Sequence, residues 1–163
     1  MRKQNIKMNT CLYNSPIGVL RISEADGKIT NLSLHQKIND TAPDIISSQL
    51  LQKACQQLDE YFQGKRRQFD LPLGYAGTPF QECVWRELQN IPYGETRCYE
   101  DIAVRIGNPK AVRAVGQANN RNPILLMIPC HRVIHKNGDI SGFACGIETK
   151  KYLLELEGRF VCL

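Results

Sequence analysis

Cys130 and His131 are adjacent, and Arg132 follows them, inside the run Ile128-Pro129-Cys130-His131-Arg132-Val133. A thiol attacks electrophiles only as its thiolate, and a neighbouring base and cation raise the thiolate fraction at neutral pH. The pattern therefore suggests a cysteine nucleophile that can be ionised at neutral pH, instead of an inert packing thiol. Cys11, Cys55, Cys83 and Cys162 have no such company and read as small buried hydrophobes.

The charge around Cys130 indicates what it attacks. Residues 97–136 hold seven Lys or Arg (97, 105, 110, 113, 121, 132, 136) against Glu100 and Asp101, a surplus of five, while the remainder of the chain carries fourteen charges of each sign. All of the net charge of +5 thus lies in the segment with the nucleophile. Such a concentration fits a polyanionic partner, because Lys and Arg neutralise phosphates and release counterions.

Length and composition limit the scaffold. A chain of 163 residues, 42% hydrophobic and 23% charged, suits one compact domain or two small ones. Seven cysteines without a CxxC pair do not form the dense framework of a small secreted domain and read as reduced. The longest apolar run, 124–128, is far short of the ~20 residues that cross a bilayer. The basic start Met1-Arg2-Lys3-Gln4-Asn5 leads into no apolar stretch, so no secretory signal is read and a cytoplasmic or nuclear address is expected.

The elements that must position these residues divide near 70–78, where Pro72, Gly74, Gly77 and Pro79 cluster. Upstream, short apolar segments over 9–35 are separated by Ser15-Pro16-Ile17-Gly18 and by Asp26-Gly27, a hairpin signal. Apolar positions 46, 50, 54, 58, 61 and 62 predict a helix over 44–62, stopped at Gly64. The first domain, 1–75, is thus a small antiparallel sheet with one covering helix. Downstream, over 78–163, a helix enters through Thr78-Pro79 and closes before Pro92, and Tyr93-Gly94-Glu95 turns the chain. A second helix over 99–106 ends at Gly107, and Asn108-Pro109 predicts the start of a third, 109–119, with Asn108 as cap. Helix, tight turn and basic helix form a helix-turn-helix pattern, in which small residues permit close approach to a groove. Residues 124–128 read as a strand ended by Pro129, and 147–157 as a last helix closed by Gly158.

These motifs together resemble the O6-alkylguanine-DNA alkyltransferase family. The resemblance is carried by Pro129-Cys130-His131-Arg132-Val133, preceded by Arg113-Ala114-Val115-Gly116 and Asn122-Pro123 and followed by Leu153-Leu154-Glu155-Leu156-Glu157-Gly158; it runs from about Thr78 to Gly158, and Ser15-Pro16-Ile17-Gly18 fits the family's first hairpin. It implies a two-domain α/β protein, with a ribonuclease H-like first domain and a mostly helical second domain bearing a winged helix-turn-helix-like DNA-binding motif. It also implies irreversible transfer of a methyl or larger alkyl group from O6-alkylguanine, and from O4-alkylthymine, in duplex DNA to the protein's own cysteine.

By the same resemblance, Cys130 accepts the alkyl group, His131 removes its proton through a water, and Glu157 orients His131. Tyr99 donates a proton to the leaving guanine, and Asn122 is the hinge bracing the active site. Arg113 enters the stack vacated by the flipped base, while Lys110, Ala111, Ala114 and Gly116 belong to the DNA-binding surface. No cofactor, no membrane and no obligate protein partner are implied, and the protein is expected to act as a cytoplasmic monomer.

Other readings remain beside this one. His135 lies four residues after His131 and raises the question of a metal, but the segment reads as extended, so the two imidazoles need not converge. Cys11, His35 and Cys55 do not make a four-ligand set, and no metal is expected. A cysteine hydrolase using Cys130 and His131, or a DNA-binding regulator with a redox thiol, would share part of the pattern. In the loop 141–146, relatives often carry glycine or another residue where Cys145 stands and tyrosine near Phe143, which leaves tolerance for bulky adducts open.

Overall fold

Asp26 and Gly27 both adopt positive φ, 51° and 73°, as a two-residue hairpin with right-twisted strands requires. This turn joins β2 (Gly18–Ala25) to β3 (Lys28–Leu34), and Pro16-Ile17 joins β1 (Met8–Ser15) to β2. The three strands pair antiparallel in the order β1-β2-β3, with a register shift at Ser23/Glu24. The computed structural model describes residues 7–35 and 48–160, and the chain divides into two compact units, Met1–Tyr75 and Ala76–Leu163.

In the first unit α1 (Gln49–Phe62) begins at Ser48, whose hydroxyl accepts from the Leu51 amide at 3.3 Å. The expected start at Asp44 lies outside the described residues. Leu51, Ala54, Leu58 and Tyr61 recur at helical spacing and are buried, as are Cys11, Leu20, Ile22, Ile29 and Leu32 of the sheet. Each large apolar side chain of this core contributes roughly 1.5–3 kcal/mol. The helix stops at Gly64, with φ of 74° and its amide bonded to Tyr61 O.

The second unit is mostly helical. It contains α2 (Pro79–Leu88), α3 (Tyr99–Arg105), α4 (Val112–Asn120) and α5 (Ile147–Phe160), with β4 (Arg97–Cys98) parallel to β5 (Val133–Ile134). Thr78 and Gln81 form a reciprocal capping box at the start of α2. The Trp85 indole N–H donates to Ala118 O at 2.8 Å in the interior, which fixes α2 against α4. Val84, Leu88, Ile102, Val115 and Ala118 complete the packing beneath the α3–α4 pair.

Three local expectations are corrected. The third helix starts at Val112, not Pro109, because Asn108–Ala111 closes first as a turn, with the Ala111 amide on Asn108 O. Residues 124–128 are not a strand. They form a buried turn with Leu126 at φ 69° and the Ile128 amide on Ile124 O, since a short apolar run records burial without specifying extension. Finally, α5 continues through Gly158 to Phe160, because a glycine ends a helix only where the chain turns left-handed.

Candidate active site

Cys130 opens a single 3₁₀ turn, Cys130–Arg132, placed between the buried turn at 124–128 and β5. All three of its residues are buried, Cys130 at 3% and His131 at 0% exposure. Asn122 braces the approach. Its side-chain N–H donates to Ile128 O at 2.7 Å, and its Oδ1 accepts from the Ile124 amide at 2.9 Å. One side chain thereby satisfies two backbone groups that no ladder supplies, holding the path of the chain immediately before Cys130.

His131 Nε2–H donates to Glu157 Oε1 at 2.7 Å, with both side chains buried. A carboxylate on Nε2 selects the tautomer in which Nδ1 is unprotonated. Nδ1 is buried and has no hydrogen-bond partner among the described residues. Burial is the largest influence on His131 and depresses its pKa despite Glu157, so the ring stays neutral and basic at neutral pH.

Glu157 accepts from Arg132 as well, from Nε at 2.9 Å and Nη2 at 3.0 Å, and more weakly from the Gly94 amide at 3.4 Å. Burial alone would raise its pKa, but His131 and the bidentate guanidinium more than offset that and hold the carboxyl well below its usual range. Arg132 in turn donates to Ile91 O at 2.7 Å and lies 5.7 Å from the centre of the Tyr93 ring.

The thiol departs from the expectation of a resting thiolate. Burial pushes Cys130 up to about 11, and the opposing influences of Asn122 and Lys150 do not restore it. A thiol raised to about 11 is mostly protonated at neutral pH. Lys150 is fully buried, donates through Nζ to Val133 O and sits 5.5 Å from the centre of the Phe143 ring. Burial depresses its pKa, while the proximity of Cys130 opposes that shift.

Tyr99, the first residue of α3, is buried, and Gly116 of α4 lies beside its ring: a Cβ there would stand 3.9 Å from the Tyr99 carbons. Burial, and then the nearness of Cys130, raise its phenol pKa, keeping it a proton donor. Tyr99 also lines an open cavity of about 770 Å³ with Lys110, Arg113, Gly116, His135 and Ser141. Cys130 is not among the lining residues, while Tyr99 both lines this space and feels the charge of Cys130. Arg113 and Ala114 are exposed on α4, and Lys110 and half-buried Ala111 precede it.

The sequence-derived residues therefore fall into two groups. Asn122 and Tyr99 lie near Cys130, His131 follows it in the chain and holds Glu157, while Lys110, Ala111, Arg113, Ala114 and Gly116 lie at the start and along the first turns of α4. Sequence reasoning gave Arg132 only a share in the local field and missed Lys150 and Asn119, whose buried Nδ2 donates to Cys130 O at 3.4 Å. Lys150 was detectable: 150, 153, 156 and 157 share the inward face of α5, so only Lys151 of the Lys150-Lys151 pair belongs to the solvent side. His131 and His135 do not converge, because His131 is buried on Glu157 and His135 is exposed beside Tyr99.

A small sheet with a covering helix, followed by a helical unit in which a buried Cys130 stands next to a buried His131–Glu157 pair and a basic helix-turn-helix runs from α3 to α4, is the architecture of the alkyl-acceptor class of proteins. Residues 8–75 match the model of the 6-O-methylguanine DNA methyltransferase ribonuclease-like domain, and residues 79–159 that of the same family's DNA-binding domain. The chain belongs to this family. It is 46% identical over 155 residues to a methylated-DNA–protein-cysteine methyltransferase of Methanosarcina acetivorans, covering 93% of this chain and 99% of the relative. It is 48% identical over 150 residues to the constitutive enzyme of that name from Bacillus subtilis, covering 88% and 91%. Among solved structures it resembles the O6-methylguanine methyltransferase of Mycobacterium tuberculosis, with a TM-score of 0.86, 40% identity and 96% of each chain covered. A Mycobacterium tuberculosis structure in complex with DNA gives a TM-score of 0.83 at 43% identity, with 94% of this chain and 93% of that chain covered.

Proposed function

We propose that this protein repairs DNA directly, moving the alkyl group of O6-alkylguanine, and of O4-alkylthymine, in duplex DNA onto Cys130 in a single irreversible turnover. The observation that carries this reading is the contact of His131 with Glu157 at 2.7 Å, next in the chain to a Cys130 whose thiol burial pushes up to about 11. It supplies a base for a thiol that cannot ionise unaided and a fixed anion for the imidazolium that results.

The lesion first leaves the stack, at a cost of a few kcal/mol. Arg113 enters the vacated space, and the small residues Ala114 and Gly116 let α4 press against the minor groove. Lys110 meets a backbone phosphate, and Ala111 lies beside it at the turn into α4. Exposed Lys110 and Arg113, with no ion pair to an acid among the described residues, support these roles. Within the site, Nδ1 of His131 takes the Cys130 proton through a bridging water, and the thiolate attacks the alkyl carbon. A C–S bond forms as the C–O bond breaks, and the electron pair passes to the guanine. Tyr99 gives that ring its phenolic proton, and the imidazolium returns a proton to the tyrosinate. The thioether product is stable, so the protein is spent.

Asn122 braces the turn before Cys130 through both ends of its amide. The protein works as a monomer without cofactor, its first domain being 1–75 and its acceptor domain 78–163. We assign it to the cytoplasm, because six cysteines among the described residues are free thiols, which suits a reducing compartment. Among the described residues no helix is long and apolar enough to cross a membrane.

The test is mass spectrometry after mixing with methylated duplex. One added methyl on the peptide containing Cys130 is expected, and a Cys130→Ser protein should take up none. A methyl on another residue, or undiminished transfer by the serine variant, would overturn the assignment.

A further inference from the structure

His135 stands outside the Cys130–His131–Glu157 relay, exposed on the turn after β5, and yet makes two specific contacts at the cavity. Its ring lies 5.0 Å from that of Tyr99, centre to centre, with the planes inclined at 50°. Its Nε2–H donates to Ser141 O at 3.1 Å; a carbonyl only accepts, so this nitrogen carries the proton. The backbone of the same residue closes the turn, through its amide on Asp139 O at 2.9 Å and its carbonyl under the Gly138 amide at 2.9 Å. Asp139 then accepts from the Ser141 amide and hydroxyl, both at 2.9 Å. Tyr99, His135, Ser141 and Gly142 all line the cavity of about 770 Å³.

We propose that His135 is a positioning residue for alkyl transfer, holding the Tyr99 ring and the Ser141–Gly142 turn in register around the space that receives the everted base. The inference rests on the reading above, in which Tyr99 protonates the leaving guanine. A phenol swings about two side-chain torsions, and a ring packed against it restricts both. The bond to Ser141 O anchors that ring to the turn on the far side of the contact. An exposed imidazole gains little from burial, so the two contacts are best understood through what they hold.

The test is single-turnover transfer from methylated duplex by His135→Ala, His135→Phe and His135→Gln, resolving the maximal rate from the half-saturating duplex concentration. Affinity for undamaged duplex is measured alongside. In His135→Ala the maximal rate is expected to fall about tenfold, the scale of a small misplacement of a reacting group, with undamaged-duplex affinity unchanged within about twofold. Phenylalanine, which keeps a ring, and glutamine, which keeps a donor, should each recover part of the rate. Because His135 acts through Tyr99, adding His135→Ala to Tyr99→Phe should cost much less than about tenfold more.

A wild-type rate in His135→Ala beside a slowed Tyr99→Phe would overturn this inference alone. A loss of undamaged-duplex affinity in proportion to the rate would also overturn it, making His135 a phosphate contact. A Tyr99→Phe protein at full rate would sink both the reading of Tyr99 and this inference. Should the alanine variant melt early, the phenylalanine variant, which fills the same space, carries the same comparison.

Discussion

Arg132 and Glu157 meet fork to fork, Nε on Oε2 at 2.9 Å and Nη2 on Oε1 at 3.0 Å, with both side chains buried. The same carboxylate holds His131, so the guanidinium fixes the carboxylate that fixes the base. Two planar groups matched at two points leave Glu157 little rotation, and a lysine could replace the charge of Arg132 but not this geometry. Arg132→Lys should therefore slow alkyl transfer about tenfold or more. Arg132→Ala should also destabilise the fold by roughly 3–5 kcal/mol, since it leaves a buried carboxylate without its cation. Single-turnover rates and denaturant midpoints check the two effects separately.

Glu157 makes stability depend on pH with a definite sign. Its carboxyl is depressed in the folded protein relative to the ordinary value of 4.5. The unfolded chain takes up its proton first as acid is added, so the stabilisation is complete above that value and is lost progressively below it. Urea unfolding between pH 7 and about pH 3 should show this loss. Glu157→Gln should be less stable at neutral pH and show a flatter dependence; an unchanged acid limb in that variant would contradict the assignment.

The protonated resting thiol predicts how the rate depends on base. With Cys130 held at about 11, thiolate is scarce at neutral pH unless His131 accepts the proton. Burial depresses His131 below 6.5, so the wild-type rate should be level above neutrality and fall as acid protonates the imidazole. In His131→Gln the rate should be lower and climb about tenfold per pH unit through the alkaline range, as free thiolate becomes the source of reaction. Rapid-quench measurements across pH distinguish the two profiles.

Asn122 supports backbone at both ends of its amide. Asn122→Ala removes a donor from Ile128 O and an acceptor from the Ile124 amide, at a cost of about 1–3 kcal/mol for each group left unsatisfied. Asn122→Asp keeps the acceptor but sets a carboxylate against Ile128 O. Both variants should melt earlier and transfer more slowly, and calorimetry with rate measurements decides it.

Arg113 is expected to matter for DNA and not for the chemical step. Arg113→Ala should slow repair of methylated duplex by about a hundredfold, the scale of the few kcal/mol that base eversion costs, while transfer from the free O6-methylguanine base stays near wild type. Equal losses on both substrates would show that Arg113 acts at the sulfur instead.

Much of this molecule was legible before folding. The hairpin at Asp26-Gly27, the start of α2 at Thr78-Pro79, the stop of α3 at Gly107 and the order of the elements are local matters. They follow from which residues tolerate positive φ, lack an N–H or cap an amide, and such preferences act within a few residues. Local signals also misled where two competed. Asn108-Pro109 is a good helix start and an equally good turn, and the chain uses it as a turn. The apolar run 124–128 records that these residues are inside without recording their path.

The types and adjacency of Cys130 and His131 suggested a nucleophile, and the family resemblance added the role of His131 as its base. The tertiary structure decided their state. Arg132 and Glu157, 25 positions apart in the chain, close into a bidentate contact, Lys150 proves to be buried and to feel the charge of Cys130, and exclusion of water raises a thiol that neighbouring charge was expected to lower. Ionisation depends on which charges and how much solvent surround a group in space. That arrangement is set by packing between residues distant in the chain, which spacing along the sequence does not encode.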